Sequence, residues 1–142
     1  MALFPNVQIG ASFFIIVALW VLALPLNWVG AWFAAAGFHE LGHFIALKIL
    51  RVKVGGIYIG ATGAKIHTGC LRCWEELICS LAGPLSGLLL LGCAAVMPRV
   101  AFCALIQSLV NLIPVYPADG GRALRCLRKG MKILLAKRRK KG

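Results

Sequence analysis

The sequence predicts an all-α polytopic membrane protein of about four transmembrane helices, with a short membrane-associated β hairpin between the second and third. Three observations point there. Of the 142 residues 61% are hydrophobic, and the mean hydropathy is +0.86, whereas soluble domains run at about 45–50% apolar. Charge is missing from whole stretches: none lies between Met1 and His39, from Leu77 to Pro98, or from Val100 to Ala118. A helix needs roughly 20 such residues to cross a hydrocarbon core. Finally, the basic residues fall almost entirely on one side of the crossings that these runs imply.

The first run is too long for one crossing and breaks at "LPLNW", residues 24–28. Pro25 and Asn27 are turn formers, so segments 8–24 and 28–50 read as a helical hairpin. A cleaved signal peptide would need a positively charged start, and "MALFPNVQIG" has no Lys or Arg. Residues 51–70 are rich in Gly, Thr, Val and Ile and alternate around Ile57, Ile59 and Ile66, which suggests a hairpin or re-entrant β element. Segments 74–97 and 100–116 are the third and fourth helices. Residues 1–121 then form one membrane-embedded domain, and residues 122–142 form a basic tail.

With four crossings, the termini and the 51–73 connection share a side. That side carries Arg51, Lys53, Lys65, Arg72 and the tail, against Arg99 alone on the other. Positive charge marks the cytoplasmic side, so both termini are expected there. Net charge is +12, and ten of the sixteen basic residues follow Gly121. A basic, partly amphipathic tail next to a membrane helix reads as an anchor on anionic lipid, and no nucleic-acid partner is expected. The six cysteines lie mostly in apolar runs, where Cys acts as a small hydrophobe. Cys70 and Cys73 form a CxxC without a second pair, a weak sign of metal or redox chemistry.

In "GFHELGHFIAL", residues 37–47, ionisable groups enter a greasy helix. On a helix, residues four apart share a face, so His39 and His43 can address one ion. Neutral imidazole is a ready zinc ligand, and Glu40 beside it suits a general base, which makes HExxH on a helix a catalytic zinc motif. The alternative is a pair of histidines satisfied by polar neighbours in a helix bundle. It weakens in a membrane, where ionisable groups are expensive and mark function. Catalytic zinc takes three protein ligands and an open position. Besides Glu40, only Glu75, Glu76 and Asp119 are acidic. The glutamates also suit the N-terminus of the third helix. Asp119, in "NLIPVYPADGG", lies in a turn that could hold a carboxylate against the second helix; ordinary Asp-Gly turn chemistry is its plainer reading. The residues leave Asp119 ahead of the glutamates and not alone. His67 lacks a helical partner and reads as a loop or interface residue rather than a ligand. The four tryptophans read as interface anchors or lipid-facing bulk, and Gly83 and Gly87 as sites of close helix approach.

HELGH on a membrane helix, followed by "NLIPVYPADGGRAL" with Asn111, Pro114, Asp119 and Gly120, resembles the site-2 proteases, the intramembrane zinc metalloproteases. "SLAGPLSG", residues 80–87, is similar to a segment of that family's intervening helix. The resemblance spans about residues 28–125. It implies His39, His43 and Asp119 as ligands of one zinc ion, Glu40 as the base, and Asn111 as a substrate- or oxyanion-positioning residue. It also implies a β element beside which an unwound substrate strand adds by edge pairing. Within the family the chain looks most like the compact bacterial enzymes related to the sporulation stage IV protease. That implies a bacterial cell membrane and, as substrate, a sigma-factor precursor or anti-sigma factor. A regulatory membrane partner or a second copy of the chain is a further expectation. No PDZ or CBS domain is present in the sequence, and only one helix precedes the catalytic one. The reading from another class is a membrane protein that binds a metal or a client without cutting it.

Overall fold

The computed structural model describes residues 6–61 and 63–139. In chain order the elements are β1 (Asn6–Ile9), α1 (Ala11–Ala23), α2 (Leu26–Ile49), β2 (Val54–Gly60), β3 (Gly63–Thr68), α3 (Cys73–Leu89), a 3-10 turn (Leu90–Cys93), α4 (Pro98–Leu112) and α5 (Asp119–Arg139). The chain is mostly helical with a small sheet.

The α1–α2 break falls where the sequence places it. Leu24 turns extended, its N–H closes α1 on the Trp20 carbonyl at 2.8 Å, and Pro25 caps α2. Proline suits that position because the first helical N–H groups have no internal partner. β2 and β3 form the expected hairpin, antiparallel, with Ile57 opposite Ile66 and Gly60 opposite Gly63. Gly63 has φ +106°, which a residue with a Cβ rarely adopts. The sheet gains a strand that the sequence reading left out. β1 pairs parallel with β2, Val7 beside Ile57 and Ile9 beside Ile59, so the order is β1-β2-β3. A parallel pair needs a crossover, and the α1–α2 hairpin supplies it.

α2 packs against α3 and α4 through small side chains. Ala31 and Ala35 meet Val100, Cys103 and Ala104 in a buried cluster, with Trp32 and Leu90 against it. Gln107 of α4 donates from Nε2 to the Trp32 carbonyl at 3.0 Å. Ser86 of α3 reaches the Phe38 carbonyl at 2.9 Å. Small residues and interhelical hydrogen bonds are what hold helices together where the surroundings are themselves apolar. The outer surface is correspondingly greasy: Leu22, Leu89 and Val96 are each about four-fifths exposed, a pattern that a water-facing monomer avoids.

Among the described residues one helical stretch, Cys73–Cys93, is long and apolar enough to cross a membrane. Ala11–Ala23 and Pro98–Leu112 are apolar but shorter, and α2 spans 24 residues with His39, Glu40 and His43 in its path. α5 is the largest addition to the sequence reading. It begins at Asp119 and runs unbroken through the 121/122 division into the basic region. Ala123 and Cys126 are buried on it.

Candidate metal centre

His39 and His43 lie one turn apart on the buried stripe of α2, and Asp119 is the first residue of α5. The turn before it closes through two backbone bonds, Val115 N–H to the Ile113 carbonyl (2.8 Å) and Ala118 N–H to the Val115 carbonyl (2.9 Å). Gly120 follows directly, and a Cβ there would run into the Leu112 and Ile113 carbonyls, so only glycine lets α5 start so close to the end of α4.

The three side chains meet in one triangle. His39 Nε2 lies 3.1 Å from Asp119 Oδ2, His43 Nε2 lies 3.2 Å from the same oxygen, and the two Nε2 atoms are 3.2 Å apart. Each residue is under one-tenth exposed. His43 Nδ1 donates to the Cys79 carbonyl at 2.7 Å, which leaves the His43 Nε2 lone pair directed into the triangle. Zinc–nitrogen bonds of 2.0–2.1 Å in a tetrahedron put ligand atoms about 3.3 Å apart. The donor set, its spacing and its burial therefore fit a zinc ion. Among the described residues this is the group of His, Cys, Asp and Glu side chains close enough to share an ion.

α3 makes room for the triangle. A Cβ at Gly83 would collide with His43 Nε2 and come within 2.8 Å of His39 Nε2. The sequence reading gave Gly83 only close helix approach; what approaches it is the pair of imidazoles. Two further residues escaped that reading. Cys79 contributes its carbonyl, invisible in a side-chain pattern. Arg122 lies one turn beyond Asp119 and places Nη1 3.9 Å from its Oδ1, while its Nε faces Glu76 Oε1 at 3.6 Å. A basic residue three positions after Asp119 was a sequence signal, lost among the other tail cations.

The competing carboxylates are engaged elsewhere. Glu75 accepts the Arg72 backbone N–H at 2.8 Å and caps α3. Glu76 faces Arg122 and accepts from Cys126 Sγ at 3.3 Å; burial, with Glu76 adjacent, pushes that thiol up to about 12 and keeps it a donor. Glu40 is half-buried beside the triangle under the β hairpin: a Cβ at Gly63 would sit 3.7 Å from its Oε1. Asn111 lies half-buried in the last turn of α4, with no hydrogen bond from its side chain to the triangle among the described residues. His67 points outward from β3, Cys70 is exposed and Cys73 half-buried, apart from the triangle.

No protein-family model and no curated protein matches the chain. Among solved structures it is similar to a site-2 protease from Methanocaldococcus jannaschii, with a TM-score of 0.71 and 23% identity. The match covers 92% of this chain and 70% of that one. The chain thus has the fold of a site-2 protease.

Proposed function

We propose that the chain is an intramembrane zinc metalloprotease of the site-2 type, hydrolysing a peptide bond of a membrane-spanning or membrane-associated protein near the cytoplasmic face. The observation that carries this is the convergence of His39 Nε2, His43 Nε2 and Asp119 Oδ2 to within 3.1–3.2 Å of one another, with Glu40 on the same helix beside them.

Zinc held by these three side chains would supply Lewis acidity for the scissile carbonyl. The chain's own residues do the rest. The Cys79 carbonyl fixes the His43 ring, Gly83 leaves the space that both rings fill, and Arg122 restrains the carboxylate oxygen that faces away from the imidazoles. Glu40 takes the proton of the attacking water on its carboxylate and delivers it to the leaving amine. Asn111 would position substrate from the end of α4, once a bound strand draws the two together.

A transmembrane helix hides its peptide bonds, so the substrate must unwind before cleavage. β3 is one of the sheet's two edge strands, β1 being the other; β3 begins above Glu40, where an extended substrate could pair with its open edge. Four crossings by α1 to α4, with both termini in the cytoplasm of a bacterial cell, remain our reading of the charge pattern. A sigma-factor precursor or anti-sigma factor is the substrate class that the family resemblance favours.

The test uses the purified chain in proteoliposomes with a membrane-anchored reporter. Glu40→Gln should keep zinc near one ion per chain and lose at least about a hundredfold in cleavage, while Asp119→Ala should lose the zinc itself. Cleavage that survives in Glu40→Gln removes the assigned base. Zinc-loaded wild type that cuts no substrate favours the metal- or client-binding alternative.

A further inference from the structure

α5 turns two faces in different directions. Ala123 and Cys126 are buried, while Arg125, Arg128, Lys129 and Lys132 are exposed. These four recur at intervals of three and four, so they stand in one row along the helix. With Pro114 and Tyr116 of the preceding turn they line a cavity of about 380 Å3. The Arg125 guanidinium lies over the Tyr116 ring at 4.5 Å, which fixes it at the rim.

No acid answers this row. The chain has four acidic residues: Asp119 and Glu40 belong to the metal centre, Glu75 caps α3, and Glu76 faces Arg122. Among the described residues no carboxylate pairs with any of the four cations. Like charges three and four apart destabilise a helix, so an anion from outside the chain is the missing partner. The rim narrows its identity. Val115 and Tyr116 of the turn are each well over half exposed beside the cations, and Pro114 and Leu124 line the cleft with them. A free anion would leave that apolar surface in water, whereas a molecule with an anionic head and hydrocarbon tails would cover both. α5 also follows the end of α4 by a short turn, which sets the cavity at the level of the lipid head groups.

We infer that the cleft between the 114–116 turn and α5 is a binding site for the phosphodiester head group of an anionic phospholipid, whose acyl chains lie along Pro114, Val115, Tyr116 and Leu124. This rests on the membrane placement proposed above and is independent of proteolysis. The site differs from a diffuse basic tail in that the 114–116 turn and one face of α5 line it together. Its two walls flank Asp119, the turn before it and α5 after it, so an occupied site would brace the turn that presents the third candidate ligand.

The full chain in detergent would be titrated with dihexanoyl phosphatidylglycerol, dihexanoyl phosphatidylcholine and inorganic phosphate. Saturable binding of the phosphatidylglycerol is expected, at least about tenfold tighter than of the other two. Arg128→Gln/Lys132→Gln should weaken it about tenfold or more, while Lys53→Gln/Arg99→Gln, which removes the same charge elsewhere, should change it less than about twofold. Equal losses in the two double variants would make the attraction diffuse and overturn the site. Phosphate binding as tight as phosphatidylglycerol would overturn the lipid as its ligand. If the α5 variant fails to fold, the three wild-type titrations still decide. A chain stable and monodisperse without detergent or lipid would overturn both this site and the membrane placement; a detergent-dependent chain without lipid selectivity would overturn the site alone.

Discussion

α1 and α2 are consecutive apolar helices joined by a two-residue break, yet the fold uses them in opposite ways. α1 buries no residue; it touches α2 through edge-on rings, Trp20 on Trp32 and Phe13 on Phe33. α2 buries a stripe of Ala31, Ala35, His39, Gly42, His43 and Ala46 with few large side chains. In water, apolar character would mark the buried helix. Here it marks the helix that faces outward, and small and polar residues mark the one that packs.

That contrast can be broken at three positions. Gly83→Ala should have the largest effect: its Cβ would displace imidazoles already fixed by Cys79 and Asp119. Zinc affinity and cleavage should fall about ten- to a hundredfold, read by zinc content after dialysis against a chelator. Gly37→Ala on α2, with nothing within 4 Å, is the matching control and should leave both unchanged. Gly42→Ala comes next. Its Cβ would meet Ser86 and, at 2.5 Å, the Ala82 carbonyl, so α2 and α3 must separate at a cost of about 1–3 kcal/mol, measurable as a lower midpoint in detergent unfolding. Leu22→Ala should be the mildest. This much larger deletion, at an 85% exposed side chain on α1, should shift that midpoint by less than about 0.5 kcal/mol. If Leu22→Ala costs more than Gly42→Ala, the contrast between the helices is wrong.

The sequence made some of this plain and concealed the rest for identifiable reasons. The His39–Glu40–His43 spacing on a helix was legible because helical geometry is local, and the Pro25 break because proline acts on its own backbone. Choosing among Glu75, Glu76 and Asp119 from the residues alone was not possible. All three lie near element ends on the same side, and only the docking of α5 on α3 shows that Glu76 faces Arg122 while Asp119 faces the imidazoles. β1 was hidden because four residues carry little pattern and their partner strand is some fifty positions away. The tail read as an anchor because its charge dominates; that it is also a packed helix depends on Ala123 and Cys126, two small residues among ten cations. The number of crossings is the least legible, since α1, at 13 residues, is shorter than a bilayer core requires.

His39 and Asp119 are eighty positions apart, and the carboxylate arrives on the last helix. A chain emerging from the ribosome presents both imidazoles and Glu40 long before it can complete the donor triangle. Its first helices form with only two of the three candidate ligands in existence. For the protease proposed above, the order of synthesis would act as a safety catch, released only when the 113–118 turn and α5 close on the helices already in place.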